Sequence, residues 1–151
     1  MNTHNQSFII LFSSLSKEIL HNDVHNKNGC FKCNRNCDFC SNFMQQTDSF
    51  CCVKTRRKYW IEQSITRTSR NIIYLATCTR CTLQYVGSTT TEFKVRFRNH
   101  KSSMLTNKKT CEGALHFNCG EHAVKDFEFI GIEKIYHLNS NRSLDNVLLI
   151  N

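Results

Sequence analysis

Hydrophobic positions become regularly spaced only in the second half of the chain. Residues 71–77 (NIIYLAT) and 82–87 (TLQYVG) are rich in β-branched and aromatic residues, which predicts two strands. Only residues 78–81 separate them, so the strands are expected to pair as a hairpin. Residues 126–135 (DFEFIGIEKI) alternate in the manner of a third strand.

Helical spacing follows the second predicted strand. The threonines at 89–91 offer an N-cap, and Glu92 stands in the favourable first turn. Residues at intervals of four, three and four predict one buried helix face, namely Phe93, Phe97, His100 and Met104. Residues 143–151 predict the start of a final helix. The order β-β-α-β-α predicts an α+β fold, with a small mixed or antiparallel three-stranded sheet flanked by helices.

The first half of the chain is organised differently. Residues 1–27 are polar and predict a tail or a weak helix. Residues 28–52 hold six cysteines and little apolar periodicity, so they are expected to add no core and either to bind metal or to stay loose. Residues 53–70 form a basic connector that contains Trp60, the only tryptophan. Residues 71–151 then form the predicted globular domain.

The chain is basic, with a formal net charge of +8 and a pI near 9.1. This charge favours a polyanionic partner, although a merely solvated basic surface is the alternative. The cations cluster in the connector and on the predicted helix, which favours nucleic acid. We expect DNA contacts from Arg56, Arg57, Lys58, Lys94, Arg98 and Lys101.

Ten cysteines are a high number for 151 residues. No secretory signal is evident, and the apolar stretch at 8–12 is too short to cross a bilayer. A protein that is not secreted keeps its thiols reduced, so closely spaced cysteines are expected to bind metal rather than to form disulfides. No membrane partner is expected.

Two zinc sites are predicted from the spacing of cysteine and histidine. Cys78 and Cys81 fit one half of a zinc site, and His116 and His122 (HFNCGEH) fit the other half. The alternative is that the cysteines merely end strands and the histidines lie in a loop. The second predicted set is the tightly spaced Cys30, Cys33, Cys37 and Cys40 (CFKCNRNCDFC), in which Cys51 or Cys52 could replace a member. Its alternative is a disordered linker.

Several short motifs recur in a specific order. Ile73-Tyr74 in the first strand is followed by Tyr85-Val86-Gly87 in the second, and then by Arg96 and His100 on the helix. Together they resemble the GIY-YIG nuclease family, and more narrowly the endonuclease domain of Penelope-like retroelements, which carries a Cys-x-x-Cys pair between the tyrosine motifs. The resemblance runs from about Cys30 to the last residue. It also implies a structural Cys-Cys-His-His zinc site that tethers the first hairpin to the loop before the third strand.

Hydrolysis of a phosphodiester requires a general base, charge stabilisation and usually a metal ion. The resemblance implies that Tyr74 is the base, that Tyr85 and His100 assist it, and that Arg96 stabilises the transition state. The guanidinium of Arg96 offers a planar, permanently charged fork for phosphate oxygens. The alternative is that the tyrosines only pack on the sheet and that His100 is a residue at the edge of the core.

The resemblance further implies one divalent cation, usually Mg²⁺, held by a glutamate on a helix after the third strand. The last four residues, 148–151, resemble the segment directly before that glutamate. Asp145 falls about two helical turns early, and Glu133 lies within the third strand. We therefore expect catalysis to be impaired in this chain.

The leading expectation is a DNA endonuclease module that nicks target DNA for retroelement insertion. One alternative is a catalytically inactive, zinc-stabilised DNA-binding remnant. A redox-active thiol protein would suit the cysteine number but would leave the tyrosines, Arg96 and His100 unexplained. A DNA substrate favours a nuclear or other intracellular location.

Overall fold

A computed structural model describes residues 28–106, 108, 112–117 and 121–136. The predicted tail at 1–27 and the predicted helix at 143–151 lie outside these residues. The α-helices within them are α1 (Phe93–Leu105) and α2 (Glu112–Phe117), and no helix of the described residues is long and apolar enough to cross a membrane. The strands are β1 (Gly29–Phe31), β2 (Ser49–Cys51), β3 (Lys58–Trp60), β4 (Ser64–Thr66), β5 (Ile72–Cys78), β6 (Gln84–Thr89) and β7 (Phe127–Lys134).

The three long strands form an antiparallel sheet in the order β6-β5-β7. Nearly every residue of the central strand β5 is buried, as expected for a strand with neighbours on both sides. The predicted α+β fold with a small antiparallel sheet is confirmed. The second strand begins at Gln84 rather than at Thr82, because Thr82 has a φ of 63° and closes the turn that precedes it.

Helix α1 packs against the sheet through the predicted face. Its buried residues are Phe93, Phe97, His100 and Met104, so this prediction is confirmed. The rings of Phe93 and Phe97 meet Phe129 of β7 edge to face, with centroids 6.0 and 5.5 Å apart. Edge-to-face contacts of this kind suit aromatic rings because the positive ring edge faces the negative ring face.

The start of α1 differs from the prediction. The N-cap is Glu92, and it forms no side-chain cap hydrogen bond, so the prediction of a threonine cap is wrong. Backbone carbonyls of the basic connector cap the helix instead. The backbone N–H groups of Phe93 and Lys94 donate to the carbonyls of Ser69 and Arg67, each at 2.9 Å. These bonds satisfy donors that the first turn of a helix leaves without an intrahelical partner.

The Cys-rich segment contributes directly to the core. Phe39 and Phe43 lie in a short π-helical turn (Phe39–Phe43), and both are buried. Each has its ring centroid 4.6 Å from that of Phe97. The prediction that residues 28–52 add no core is therefore wrong, because a single turn carries its apolar residues without a repeat that periodicity can detect.

The same segment covers the outer edge of β7. The backbone N–H of Gln45 donates to the carbonyl of Phe129 at 2.9 Å, and Met44 forms a parallel bridge with Phe129. Farther along the edge, the N–H of Gly131 donates to Sγ of Cys30 at 3.3 Å. An open strand edge is a template for aggregation, and these contacts close it.

The connector holds strands that the sequence did not predict. Strand β4 pairs in parallel with β1, and β3 pairs antiparallel with β2. The segments 28–52 and 53–70 belong to the same compact unit as the sheet.

Candidate active site and metal clusters

Tyr74 lies at the centre of a buried polar cluster on the face of the sheet that α1 covers. Nε of Arg96 donates to the Tyr74 hydroxyl at 2.9 Å, and Nε2 of His100 lies 2.7 Å from the same oxygen. Arg96 and His100 stand one helical turn apart, which brings both side chains to one strand residue. Tyr74 and His100 are buried, and Arg96 is half-buried.

The charge state of this cluster follows from its surroundings. Burial, with a smaller contribution from the nearby Arg96 cation, lowers the pKa of His100 to about 4. The imidazole is therefore neutral at pH 7. Because a guanidinium can only donate, the Tyr74 oxygen accepts from Arg96, and its own proton is available to Nε2 of His100.

Tyr85 and Gly87 complete this face from β6. Tyr85 pairs with Ala76 and Gly87 with Tyr74, so both lie on the side of Tyr74. The Tyr85 ring is half-buried, with its centroid 6.3 Å from that of His100. A Cβ on Gly87 would overlap the hydroxyl end of Tyr74. The glycine of the YVG motif thus provides the space in which the Tyr74 phenol lies.

The structure brings the two tyrosines together with Arg96 and His100 on one face, in the order that the motifs predicted. Residues 70–143 match the family model of the GIY-YIG catalytic domain. This match indicates nuclease function and spans all four of these residues. No curated protein and no solved structure matches the chain.

A Cys-His cluster lies at one end of the central sheet. The four ligand atoms of Cys78, Cys81, His116 and His122 lie within 4.8 Å of one another. Sγ of Cys78 is 3.3 Å from Nδ1 of His122, and Sγ of Cys81 is 3.4 Å from Nε2 of His116. In a tetrahedral zinc site the sulfur and nitrogen ligands stand about 3.5 Å apart. The cluster therefore fits a tetrahedral metal ion.

Backbone contacts hold the two halves of this cluster near each other. The turn after β5 carries both cysteines, and Thr79 within it donates its backbone N–H and its hydroxyl to the carbonyl of Asp126. The Asp126 carboxylate in turn accepts from the N–H of Ala123, next to His122. Arg80 donates to the carbonyl of Glu121. The hairpin is thus tied to the segment that precedes β7.

The upstream cysteines form a smaller group. Sγ atoms of Cys33, Cys37 and Cys40 lie within 4.8 Å of one another. Cys30, predicted as the fourth ligand, does not join them. Its thiol is fully buried, accepts from Gly131, and has its pKa raised by burial to about 12, so it is a poor metal ligand. Neither Cys51 nor Cys52 takes its place among the described residues.

The described residues do not fit the Mg²⁺ that the GIY-YIG resemblance implies. Magnesium needs oxygen ligands, whereas both ligand clusters in the described part of the chain consist of cysteine and histidine. Glu133 is half-buried in β7 and belongs to neither cluster. Asp145 lies outside the described residues.

The six predicted DNA contacts fall into two groups. Arg56, Arg57, Lys58 and Arg98 are exposed. Lys94 instead forms an ion pair with Glu92 at 2.7 Å, and Lys101 forms one with Asp38 at 2.8 Å. No local spacing predicts the Lys101 pair, because Asp38 is distant along the chain and lies in the Cys-rich segment.

Gln84 is a structural residue that the sequence did not reveal. Its side-chain amide accepts from the N–H of Val53 and donates to the carbonyl of Cys51, each at 2.9 Å. Gln84 lies next to Tyr85, so this double hydrogen bond joins the β2–β3 hairpin to strand β6 of the central sheet. Its partners are far away along the chain, and no local motif predicts them.

Proposed function

We propose that this chain is a DNA endonuclease that hydrolyses one phosphodiester bond, with Tyr74 as the general base. The observation that carries the proposal is the contact of one buried hydroxyl with both Arg96 and His100. A tyrosine that only packs in the core does not require a cation and a histidine in contact with its hydroxyl. The family match over residues 70–143 supports the same reaction class.

The proton path follows from the hydrogen bonds. Water forms a bond to phosphorus and gives its proton to the Tyr74 oxygen, while the Tyr74 hydroxyl passes its own proton to Nε2 of His100. The bond from phosphorus to the leaving oxygen breaks, and that oxygen takes a proton from solvent. Burial and, to a smaller extent, the Arg96 cation depress the pKa of His100. A phosphate paired with Arg96 offsets that cation, so substrate binding makes His100 a better acceptor.

Burial sets the order of events. Tyr74 is 0% exposed, whereas Arg96 and Tyr85 are half-buried and closer to solvent. A phosphate therefore meets Arg96 and Tyr85 first. We propose that the phosphate draws the guanidinium of Arg96 away from the Tyr74 hydroxyl and so opens the hydroxyl to the attacking water. A divalent cation would stabilise the leaving oxygen when bound, and no step here depends on ligands for it.

The Cys-His cluster supports a narrower assignment. Cys78 and Cys81 stand between the two tyrosine motifs, and their ligand atoms lie within 4.8 Å of those of His116 and His122. We propose that this site holds a structural Zn²⁺ and that the chain is of the Penelope-like retroelement type, acting on target DNA in the nucleus. The exposed cations Arg56, Arg57, Lys58 and Arg98 are proposed as contacts to DNA phosphates.

Nicking of supercoiled plasmid DNA tests the proposal. The full chain is assayed with Mg²⁺ and with EDTA, beside Arg96→Ala and a matched variant, Asn99→Ala, which alters an exposed position of the same helix. We expect nicking to be slow, to be abolished by Arg96→Ala and to be retained by Asn99→Ala. Equal nicking by Arg96→Ala would refute the roles assigned here. DNA binding without any nicking would leave only the binding function.

A further inference from the structure

We propose that the β2–β3 hairpin is an arm that binds unpaired DNA nucleotides, with one base stacked on Trp60 and the adjoining phosphates on the cations beside it. This inference rests on the proposed DNA endonuclease function and narrows its substrate to DNA with a single-stranded segment close to the cut. It depends on the two faces of the hairpin, its charge and its attachment to the catalytic sheet.

The hairpin has one face towards the protein and one towards solvent. Phe50 pairs with Tyr59, their rings are stacked with centroids 5.4 Å apart, and Phe50 is buried. Side chains alternate along a strand, so Lys58 and Trp60 lie together on the opposite face. Both are exposed, as is Cys51, the cross-strand partner of Lys58. The outer face thus presents an aromatic ring and a cation.

Trp60 is 55% exposed, so part of its indole surface is open to solvent. Nζ of Lys58 lies 4.3 Å from the centroid of its ring. An indole can stack on any unpaired base, and a cation beside it can meet the phosphate of the same nucleotide. Bases within a duplex do not offer their faces for stacking, so this pair favours a single strand.

The turn of the hairpin adds positive charge. Lys54, Arg56 and Arg57 are all exposed, and Arg56 adopts a φ of 57° within the turn. The ion pairs found in the described part of the chain involve Lys94 and Lys101, and none involves these hairpin residues. The acidic residues that flank the hairpin, Asp48 and Glu62, stand before β2 and after β3, away from the turn. The turn is therefore suited to phosphates.

Gln84 fixes the hairpin relative to the catalytic face. Its amide bonds the backbone of Cys51 and Val53, where β2 enters the turn. The following residue is Tyr85, which belongs to the Tyr74 face. The side chain of Gln84 lies on the face of β6 opposite to that of Tyr85, so the arm is attached at this edge strand from the other side of the sheet. A DNA strand that passes over the edge of β6 would meet both the arm and the Tyr74 face.

Trp60 is the only tryptophan in the chain, so its fluorescence reports the proposed contact directly. The full chain is titrated with oligothymidylate and with a duplex of the same length, at low and high salt. We expect quenching that saturates at a lower concentration of the single strand and that weakens with salt. Lys58→Ala should raise the dissociation constant about threefold or more. No quenching, or no preference for the single strand, would overturn the inference.

Variants of Trp60 are compared by fluorescence anisotropy of a labelled oligothymidylate. We expect Trp60→Ala to weaken binding about tenfold or more. Trp60→Phe, which keeps an aromatic ring, should retain most of the affinity of the unaltered chain. Leu105→Ala is the matched control, because Leu105 is 68% exposed on α1 and lies outside the arm. Equal affinity of Trp60→Ala and the unaltered chain would overturn the inference.

The two proposals can fail separately. Arg96→Ala should still quench in the presence of single-stranded DNA, because the arm does not contain Arg96. Quenching without nicking would refute the endonuclease and support the arm. Arg96-dependent nicking with unaltered single-strand binding by Trp60→Ala would support the endonuclease and overturn the arm.

Discussion

The phenol of Tyr74 lies directly over the backbone of Gly87, its antiparallel partner on β6. This contact allows the hydroxyl to reach both Arg96 and His100. Any side chain at Gly87 would overlap Tyr74 and also come close to the ring of Tyr85. The relationship between these residues is therefore steric, and it can be tested with one methyl group.

Gly87→Ala should displace the Tyr74 hydroxyl from Arg96 and His100. We expect nicking to fall about 100-fold or more, because small misplacements at reacting centres have large effects. Overpacking should also lower the free energy of unfolding by about 1–3 kcal/mol. Plasmid nicking and urea unfolding measure both effects. Ser88→Ala, on the other face of β6, is the control, and equal losses in both variants would contradict this explanation.

Tyr74→Phe should separate catalysis from folding. The ring that packs in the core remains, while Arg96 and His100 lose their shared partner, so we expect nicking to be abolished. The cost to stability should be about 1–3 kcal/mol, that of a buried polar group without a hydrogen bond. Tyr85→Phe should reduce nicking less, by about tenfold. A Tyr74→Phe variant that nicks at the normal rate would exclude Tyr74 as the base.

Stability should fall in acid partly because of His100. Its pKa is about 4 in the folded protein and 6.5 ordinarily, so between these values the unfolded chain binds a proton that the folded chain does not. Lowering the pH from 7 to 4 should therefore cost about 3 kcal/mol through this residue. The charged and titratable groups that face it are Arg96, Tyr74 and Tyr85.

Urea unfolding of the unaltered chain and of His100→Gln, measured from pH 7 to pH 4, isolates this contribution. The variant should lose less stability over that range, because glutamine does not titrate. Parallel pH curves for the two proteins would show that His100 does not have a depressed pKa.

Removal of metal should lower thermal stability. The Cys-His cluster joins the β5–β6 turn to the segment before β7, and an ion bound there would stabilise the folded chain in particular. We expect chelation to lower the melting temperature by about 5 °C or more, with a smaller effect on DNA binding. Cys81→Ser should lose bound zinc by elemental analysis. Cys51→Ser is the control, since Cys51 is exposed and outside both clusters. An unchanged melting temperature after chelation would argue against a structural ion.

Phe39→Ala should destabilise the protein by about 3–5 kcal/mol, as expected for loss of a large buried ring. Phe39 contacts Phe93, Phe97 and Phe129 across the core. Phe31→Ala provides a comparison in the same segment, because Phe31 is only half-buried. Urea unfolding measures both variants. A small effect for Phe39→Ala would mean that the Cys-rich segment contributes little to folding.

The central sheet and α1 could be predicted because their apolar residues follow the repeats of strand and helix. Tyr74, Tyr85, Arg96 and His100 were singled out by their resemblance to the GIY-YIG motifs, in which each stands at a fixed place in a strand or a helix. The π-helical turn could not be predicted in this way, because Phe39 and Phe43 occupy a single turn. The cap of α1 by Arg67 and Ser69 uses backbone carbonyls, for which no residue type is diagnostic.

The cysteines show where spacing alone fails. Cys78 and Cys81 meet the histidines that the sequence paired with them. Cys30 has the same spacing to Cys33, yet its thiol is used by Gly131 at the edge of β7. The spacing of cysteines indicates which thiols a short loop can bring together. It does not indicate whether another part of the fold, here the edge of β7, already contacts one of those thiols.

The cover over β7 has a consequence for where this protein can be divided. The family match begins at residue 70, but Met44, Gln45 and Cys30 close the edge of β7, and Phe39 lies against the phenylalanines of α1. A fragment that started at residue 70 would present a bare strand edge beside uncovered aromatic rings. Such a fragment is expected to self-associate through that edge. The smallest fragment expected to fold as a soluble monomer therefore begins upstream of Cys30.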